Sequence, residues 1–296
     1  MAQWKRRLTG CIAAAVVGIG LTGCGAKPSA GSAPAPDTAA KTVTVKGSDT
    51  MVHLVDAWAD AFGKAHPDAK ISVTGGGSGT GIAALMNGTT DICASSRDLN
   101  GEERKSAEAK GLTLMESTVA QDALSIVVNP KNTVGELTLD QIAQIYTGAV
   151  TNWKDVGGPD ETIVVASRES SSGTYMFFQE HVLKKKDYAS GALLLPATSA
   201  IVQTVADSAG AIGYVGLGYA AEAKDKVKTI GVKPSADAPA VMPSAETVLN
   251  RSYSIARPLF LIVSKEPAGT IKAFLDFCAS PDGQKIVEAN GYVTVK

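Results

Sequence analysis

Apolar and polar positions along this chain alternate between two periods. Residues 42–46, 70–74 and 91–95 form short runs of strand character, while 51–65, 79–87 and 101–110 repeat their apolar positions at helical spacing. Asn100, followed three residues later by Glu103, predicts a reciprocal cap opening the third of these helices, and Gly111 predicts its end. Strand and helix in such alternation predict an α/β fold, with a largely parallel sheet covered by helices.

The pattern then restarts. Residues 123–128 read as a longer apolar strand ending at Asn129-Pro130. Beyond it, Thr138 and Gln141 cap a helix reaching residue 146, followed by a strand at 162–166, helices at 174–185 and 201–207, and a strand at 211–215. An apolar strand at 259–263 precedes two last helices. The second of these opens at Ser280-Pro281, a cap and a first-turn proline, and stops before Gly291. The economical arrangement has two lobes, residues 42–122 with 253–296 forming lobe I and 123–252 forming lobe II. Each lobe holds a mixed, mainly parallel sheet flanked by helices, and the strands near 123–128 and 253–263 cross between them. Ligands of open α/β sheets bind beyond the carboxyl ends of the strands, so facing lobes predict a cleft.

The N-terminus changes the picture of where the body sits. Lys5, Arg6 and Arg7 precede an apolar run over 8–21, which is too short to span a bilayer permanently and reads as a signal peptide over 1–23. Leu21-Thr22-Gly23-Cys24 resembles the bacterial lipoprotein box, which makes Cys24 the lipid-modified N-terminus. Residues 24–41 are nearly all Ala, Pro, Ser, Gly and Lys, the composition of a disordered tether spanning roughly 20–25 Å. Removing the signal takes three basic groups and no acidic ones from a chain with 28 basic and 29 acidic residues. The exported body is therefore mildly acidic, which argues against nucleic acid as a partner. Its two cysteines, Cys93 and Cys278, read as small buried hydrophobes. A disulfide between them would require a Cα separation that sequence does not give.

Candidate chemistry lies in three Gly/Ser/Thr-rich turns between strands and helices. They are Gly47-Ser48-Asp49-Thr50, the run from Gly75 through Ser78 and Gly79 to Gly81, and Ser170 through Ser172 and Gly173 to Thr174. Each exposes backbone N–H groups at a helix start, adds hydroxyl donors and enjoys the positive end of the helix dipole, so three together point to one shared anion. Arg168 adds a planar fork for two oxygens of an oxyanion; its bland alternative is a surface pair with Glu169. Ser96 and Arg97, ending another strand, offer a second guanidinium, with an Arg97–Asp98 pair or a helix-start network as the alternative. The glycine turn fits neither G-x-G-x-x-G nor a P-loop, because no G-K-[ST] follows. His53, His66 and His181 sit in no nucleophile or metal motif and read as surface or packing residues. A non-enzymatic binder without cofactor or metal is the direct reading. A serine-dependent phosphoester hydrolase is its rival.

These motifs, with Asp91 through Arg97, Ala211 through Val215 and Ser280 through Lys285, resemble in order and spacing the substrate-binding lipoproteins of bacterial high-affinity phosphate ABC importers. The resemblance implies a type II periplasmic-binding fold that closes on inorganic phosphate as a monomer and delivers it to a permease with its ATPase subunits. It places phosphate contacts on the group Ser48, Asp49 and Thr50, on Ser78 and Gly79, on Ser96 and Arg97, and on Arg168, Ser172, Gly173 and Thr174. Some relatives carry an aspartate at the end of the third strand to accept the phosphate proton. Ser96 stands there in this chain, leaving Asp49 or Glu169 as acceptors and keeping sulfate, molybdate and tungstate open as cargo.

Overall fold

A computed structural model of the chain describes residues 42–295. The signal peptide, Cys24 and the tether lie outside the described residues. The first alternating set folds as β1 (Val43–Gly47), α1 (Val52–Ala65), β2 (Ile71–Thr74), α2 (Ser78–Met86), β3 (Ile92–Ser95) and α3 (Gly101–Ala109). Asn100 accepts from the Glu103 amide at 2.8 Å and Glu103 accepts from the Asn100 amide at 2.9 Å, the reciprocal cap that the spacing predicts.

Next comes β4 (Met115–Val128), which begins well before residue 123. Its first half, with Glu116, Ser117, Thr118 and Gln121, is partly exposed, so it lacks the unbroken apolar run that marks the second half. The chain continues through β5 (Glu136–Thr138), α4 (Leu139–Thr147), β6 (Val164–Arg168), α5 (Gly173–His181), β7 (Leu193–Leu195), α6 (Thr198–Asp207), β8 (Ala211–Gly216) and α7 (Leu217–Glu222). It closes with β9 (Lys228–Thr229), β10 (Gly231–Lys233), α8 (Ala245–Leu249), β11 (Ala256–Val263), α9 (Gly269–Ala279) and α10 (Pro281–Ala289). Thus α5 ends four residues before the expected 185. Lys184 and Lys185 adopt left-handed φ values of 52° and 67°, which a helix does not continue through.

The strands join edge to edge in the order β2-β1-β3-β11-β4-β8-β6-β7, with β9 also on β4 and a separate β5–β10 pair. Neighbours of β1 and of β6 are parallel, whereas β11 and β4 run antiparallel to their neighbours. The two expected sheets are linked into one path because β4 pairs with β11 from Met115 to Ala123 and with β8 from Leu124 to Val128.

Burial follows the two ends of that path. Trp58, Phe62, Ile92, Leu261, Phe274 and Val287 belong to one apolar cluster, so the C-terminal helices pack on the N-terminal strands. The Trp58 indole donates to the Gly283 carbonyl at 2.8 Å across this junction. Tyr146, Trp153, Phe178, Ile212 and Tyr214 form another cluster around β8 and α4. Cys93 and Cys278 are free and buried, and burial pushes both thiols up, the inert small-hydrophobe role. Among the described residues no helix is long and apolar enough to cross a membrane.

Candidate functional site

Close backbone approach brings the turns together. Gly47 ends β1 at φ +146°, and a methyl there would lie 2.1 Å from the Ala94 carbonyl oxygen, so only glycine lets the first turn lie against the end of β3. The Ser48 amide donates to that carbonyl at 2.8 Å, and the Gly77 amide reaches back to the Gly47 carbonyl at 2.9 Å. The third turn arrives from the far part of the sheet, where the Ser171 carbonyl accepts the Gly79 amide at 3.0 Å.

Five of the expected residues meet directly. Ser78 Oγ accepts the Ser96 amide at 3.1 Å and lies 3.4 Å from Ser96 Oγ. Thr50 Oγ1 and Thr174 Oγ1 are 2.9 Å apart. Gly173 packs against the serine pair so closely that a methyl on it would fall 2.2 Å from Ser78 Oγ and 2.8 Å from Ser96 Oγ. Ser78 opens α2 and Gly173 opens α5, so two helix N-termini with their positive dipole ends converge here. Ser172 caps α5 by accepting the Tyr175 amide at 3.4 Å, which leaves its hydroxyl hydrogen available. The Gly79 amide is committed to Ser171, so Gly79 supplies close approach rather than a donor. Ser48 Oγ and Arg97 Nε are buried polar atoms with no protein partner. A buried donor without an acceptor is costly.

The two arginines are more engaged than their turns imply. Arg168 gives Nε to the Leu195 carbonyl at 3.2 Å, Nη1 to Thr198 Oγ1 at 2.8 Å and Nη2 to the Pro196 carbonyl at 2.7 Å. Its ion pair is with Asp49, Nη1 to Oδ2 at 3.2 Å, and not with Glu169, which accepts from Ser171 Oγ instead. Burial draws the Arg168 guanidinium down from its ordinary value, and the Asp49 carboxylate opposes that pull. Asp49 Oδ2 also accepts the Thr198 amide and hydroxyl at 2.7 Å each. Arg97 is buried and forms the helix-start network, bidentate to Glu103 at 2.7 and 2.8 Å, with Asp98 contributing only its backbone carbonyl.

Sequence reasoning missed a third guanidinium. Arg257, on β11, is paired with Asp122 on β4 at 2.9 Å, and its Nη1 donates to Thr174 Oγ1 and to the Ser96 carbonyl at 3.1 Å each. Both side chains are fully buried. Burial pushes the Asp122 carboxyl up, while Arg257 and the Leu217 amide pull the other way. The available signal was a single acid and a single base, each inside a strand otherwise fit for the core.

A family model described as a PBP superfamily domain matches residues 32–282. A phosphate-binding protein PstS of Staphylococcus epidermidis is 37% identical over 254 residues, covering 84% of this chain and 77% of that protein. Among solved structures, a Clostridium perfringens protein with bound phosphate, described as a phosphate ABC transporter substrate-binding protein, superimposes with a TM-score of 0.79 at 35% identity. It covers 86% of this chain and 100% of its own. An ABC-type phosphate transport receptor from Vibrio cholerae matches with a TM-score of 0.68 at 32% identity, over 85% of this chain and 99% of its own.

Proposed function

The chain belongs to the PBP superfamily of binding proteins, and from that premise we propose that it binds inorganic phosphate outside the cytoplasmic membrane and delivers it to an ABC-type importer. The observation that carries this reading is the meeting of Thr50, Ser78, Ser96, Gly173 and Thr174 from four segments of the sequence. Hydroxyls, two helix N-termini and the buried Ser48 and Arg97 donors offer a tetrahedral anion many hydrogen bonds at once. Each bond to a charged guest contributes roughly 1.5–3 kcal/mol net, and micromolar affinity needs about 8 kcal/mol, so a handful suffices without metal or cofactor.

Lobe I, residues 42–122 with 253–296, carries Thr50, Ser78 and Ser96; lobe II, residues 123–252, carries Gly173 and Thr174. Closure of one on the other assembles the site, and the closed form docks on the permease and its ATPase subunits. Asp49 and Arg168 pair across this division beside the anion, and the Arg168 Nη2 hydrogen that the Pro196 carbonyl does not take is left for the guest. A lipid on Cys24 and a tether over 24–41 keep a monomeric body at the membrane. The protein acts as a receptor, and its histidines are packing residues: His53 stacks on Tyr219, His66 lies against Phe62 and His181 stacks on Phe177.

Equilibrium dialysis with labelled phosphate, in competition with sulfate, molybdate and tungstate, tests the assignment. Saturable binding of one phosphate per chain at micromolar or tighter affinity is expected, with the competitors weaker. Failure to saturate removes the receptor reading, and tighter binding of a competitor changes the cargo.

A further inference from the structure

Arg257 and Asp122 stand opposite one another in the β11–β4 register, at the place where β4 leaves β11 and begins to pair with β8. Asp122 Oδ2 takes Nε at 3.1 Å and Nη2 at 2.9 Å, and Asp122 Oδ1 accepts the Leu217 amide at 2.8 Å. The remaining guanidinium nitrogen, Nη1, is aimed at Thr174 Oγ1 and the Ser96 carbonyl, while the Phe177 ring lies 5.5 Å from the guanidinium carbon. An ion pair this deeply buried is no cheaper than apolar packing, so stability alone is a poor reason for it.

The hydrogen count gives a better one. A guanidinium only donates, so Thr174 Oγ1 must accept from Arg257. The Thr174 hydrogen is then left for Thr50 Oγ1, 2.9 Å away, or for a guest. Ser78 is treated alike: its oxygen accepts the Ser96 amide, and its hydrogen is left for the site. A hydroxyl turned the other way would present lone pairs to an anion and repel it. We propose that the Asp122–Arg257 pair is a positioning unit for the anion site, fixing the Thr174 hydroxyl as a donor and joining it to the end of β3 through Ser96. The pair is neutral as a whole, so it orients the site without adding net charge. This inference rests on the phosphate reading above.

A double-mutant cycle tests it, with phosphate affinity and thermal midpoint measured for wild type, Arg257→Gln, Thr174→Val and the double variant. If Arg257 acts through Thr174, each single change weakens phosphate by at least about tenfold, and the double variant stays within about threefold of the weaker single one. Thr174→Ser, which keeps the hydroxyl, restores most of the affinity. Losses that multiply in the double variant, or an Arg257→Gln protein that binds like wild type, overturn the proposal. Should Arg257→Gln fail to fold, Asp122→Asn enters the same cycle, because it loosens the guanidinium while preserving side-chain size. A wild-type protein that binds no phosphate overturns the receptor reading and this one together; a wild type that binds while the losses multiply overturns this one alone.

Discussion

At the residue scale, the decisive atom is one that is missing. Gly173 is not in the left-handed region, and alanine there would favour α5 by local propensity, yet its methyl would strike Ser78 and Ser96. Gly173→Ala is therefore expected to fold normally without ligand while closing poorly. Overpacking by one methyl costs about 1–3 kcal/mol, so dialysis should find phosphate affinity down about ten- to a hundred-fold; unchanged affinity would place Gly173 outside the site. The serines, threonines and glycines of the turns were legible because their chemistry is local and repeated. Arg257 and Asp122 were not, since each looks like an isolated charge until the β4–β11 register sets them side by side. Nor was the pairing of Arg168 with Asp49, whose positions are far apart in sequence.

At the scale of elements, Glu103 serves two masters. It completes the cap of α3 with Asn100 and holds the guanidinium of Arg97. Losing an N-cap side chain costs about 1 kcal/mol, and Asn100→Ala should lower the unfolding free energy by that amount, read as a lower denaturant midpoint at an unchanged slope. A midpoint equal to wild type would show that the cap adds nothing. The caps at Asn100–Glu103 and Thr138–Gln141, and the Ser280–Pro281 start of α10, were readable because a cap is set by residues within one turn. The first half of β4 and the short strands β5, β7, β9 and β10 were not. Their pairing partners, rather than their own composition, make them strands.

For the whole molecule, ligand binding and stability are linked. A ligand held only by the folded chain adds about 2.7 kcal/mol when present at a hundred times its dissociation constant. For a body of this size each kcal/mol raises the melting temperature by about 2–4 °C. Phosphate should therefore raise the midpoint by about 5–10 °C, and sulfate at equal concentration by less. An absent shift with phosphate would contradict the proposed site. The α/β class and the general path of the chain could be read from its alternating periods. The joining of the expected sheets could not, because it depends on one strand of 14 residues serving two neighbours.

The N-terminal apolar cluster draws on residues as late as Phe274, Cys278, Val287 and Tyr292. A ribosome must therefore finish nearly the entire polypeptide before that nucleus has all its parts. Until then β1 and α1 lack the cover that α9 and α10 give them. The first core is thus completed by the last helices, and loss of the C-terminal segment would strip it of its cover.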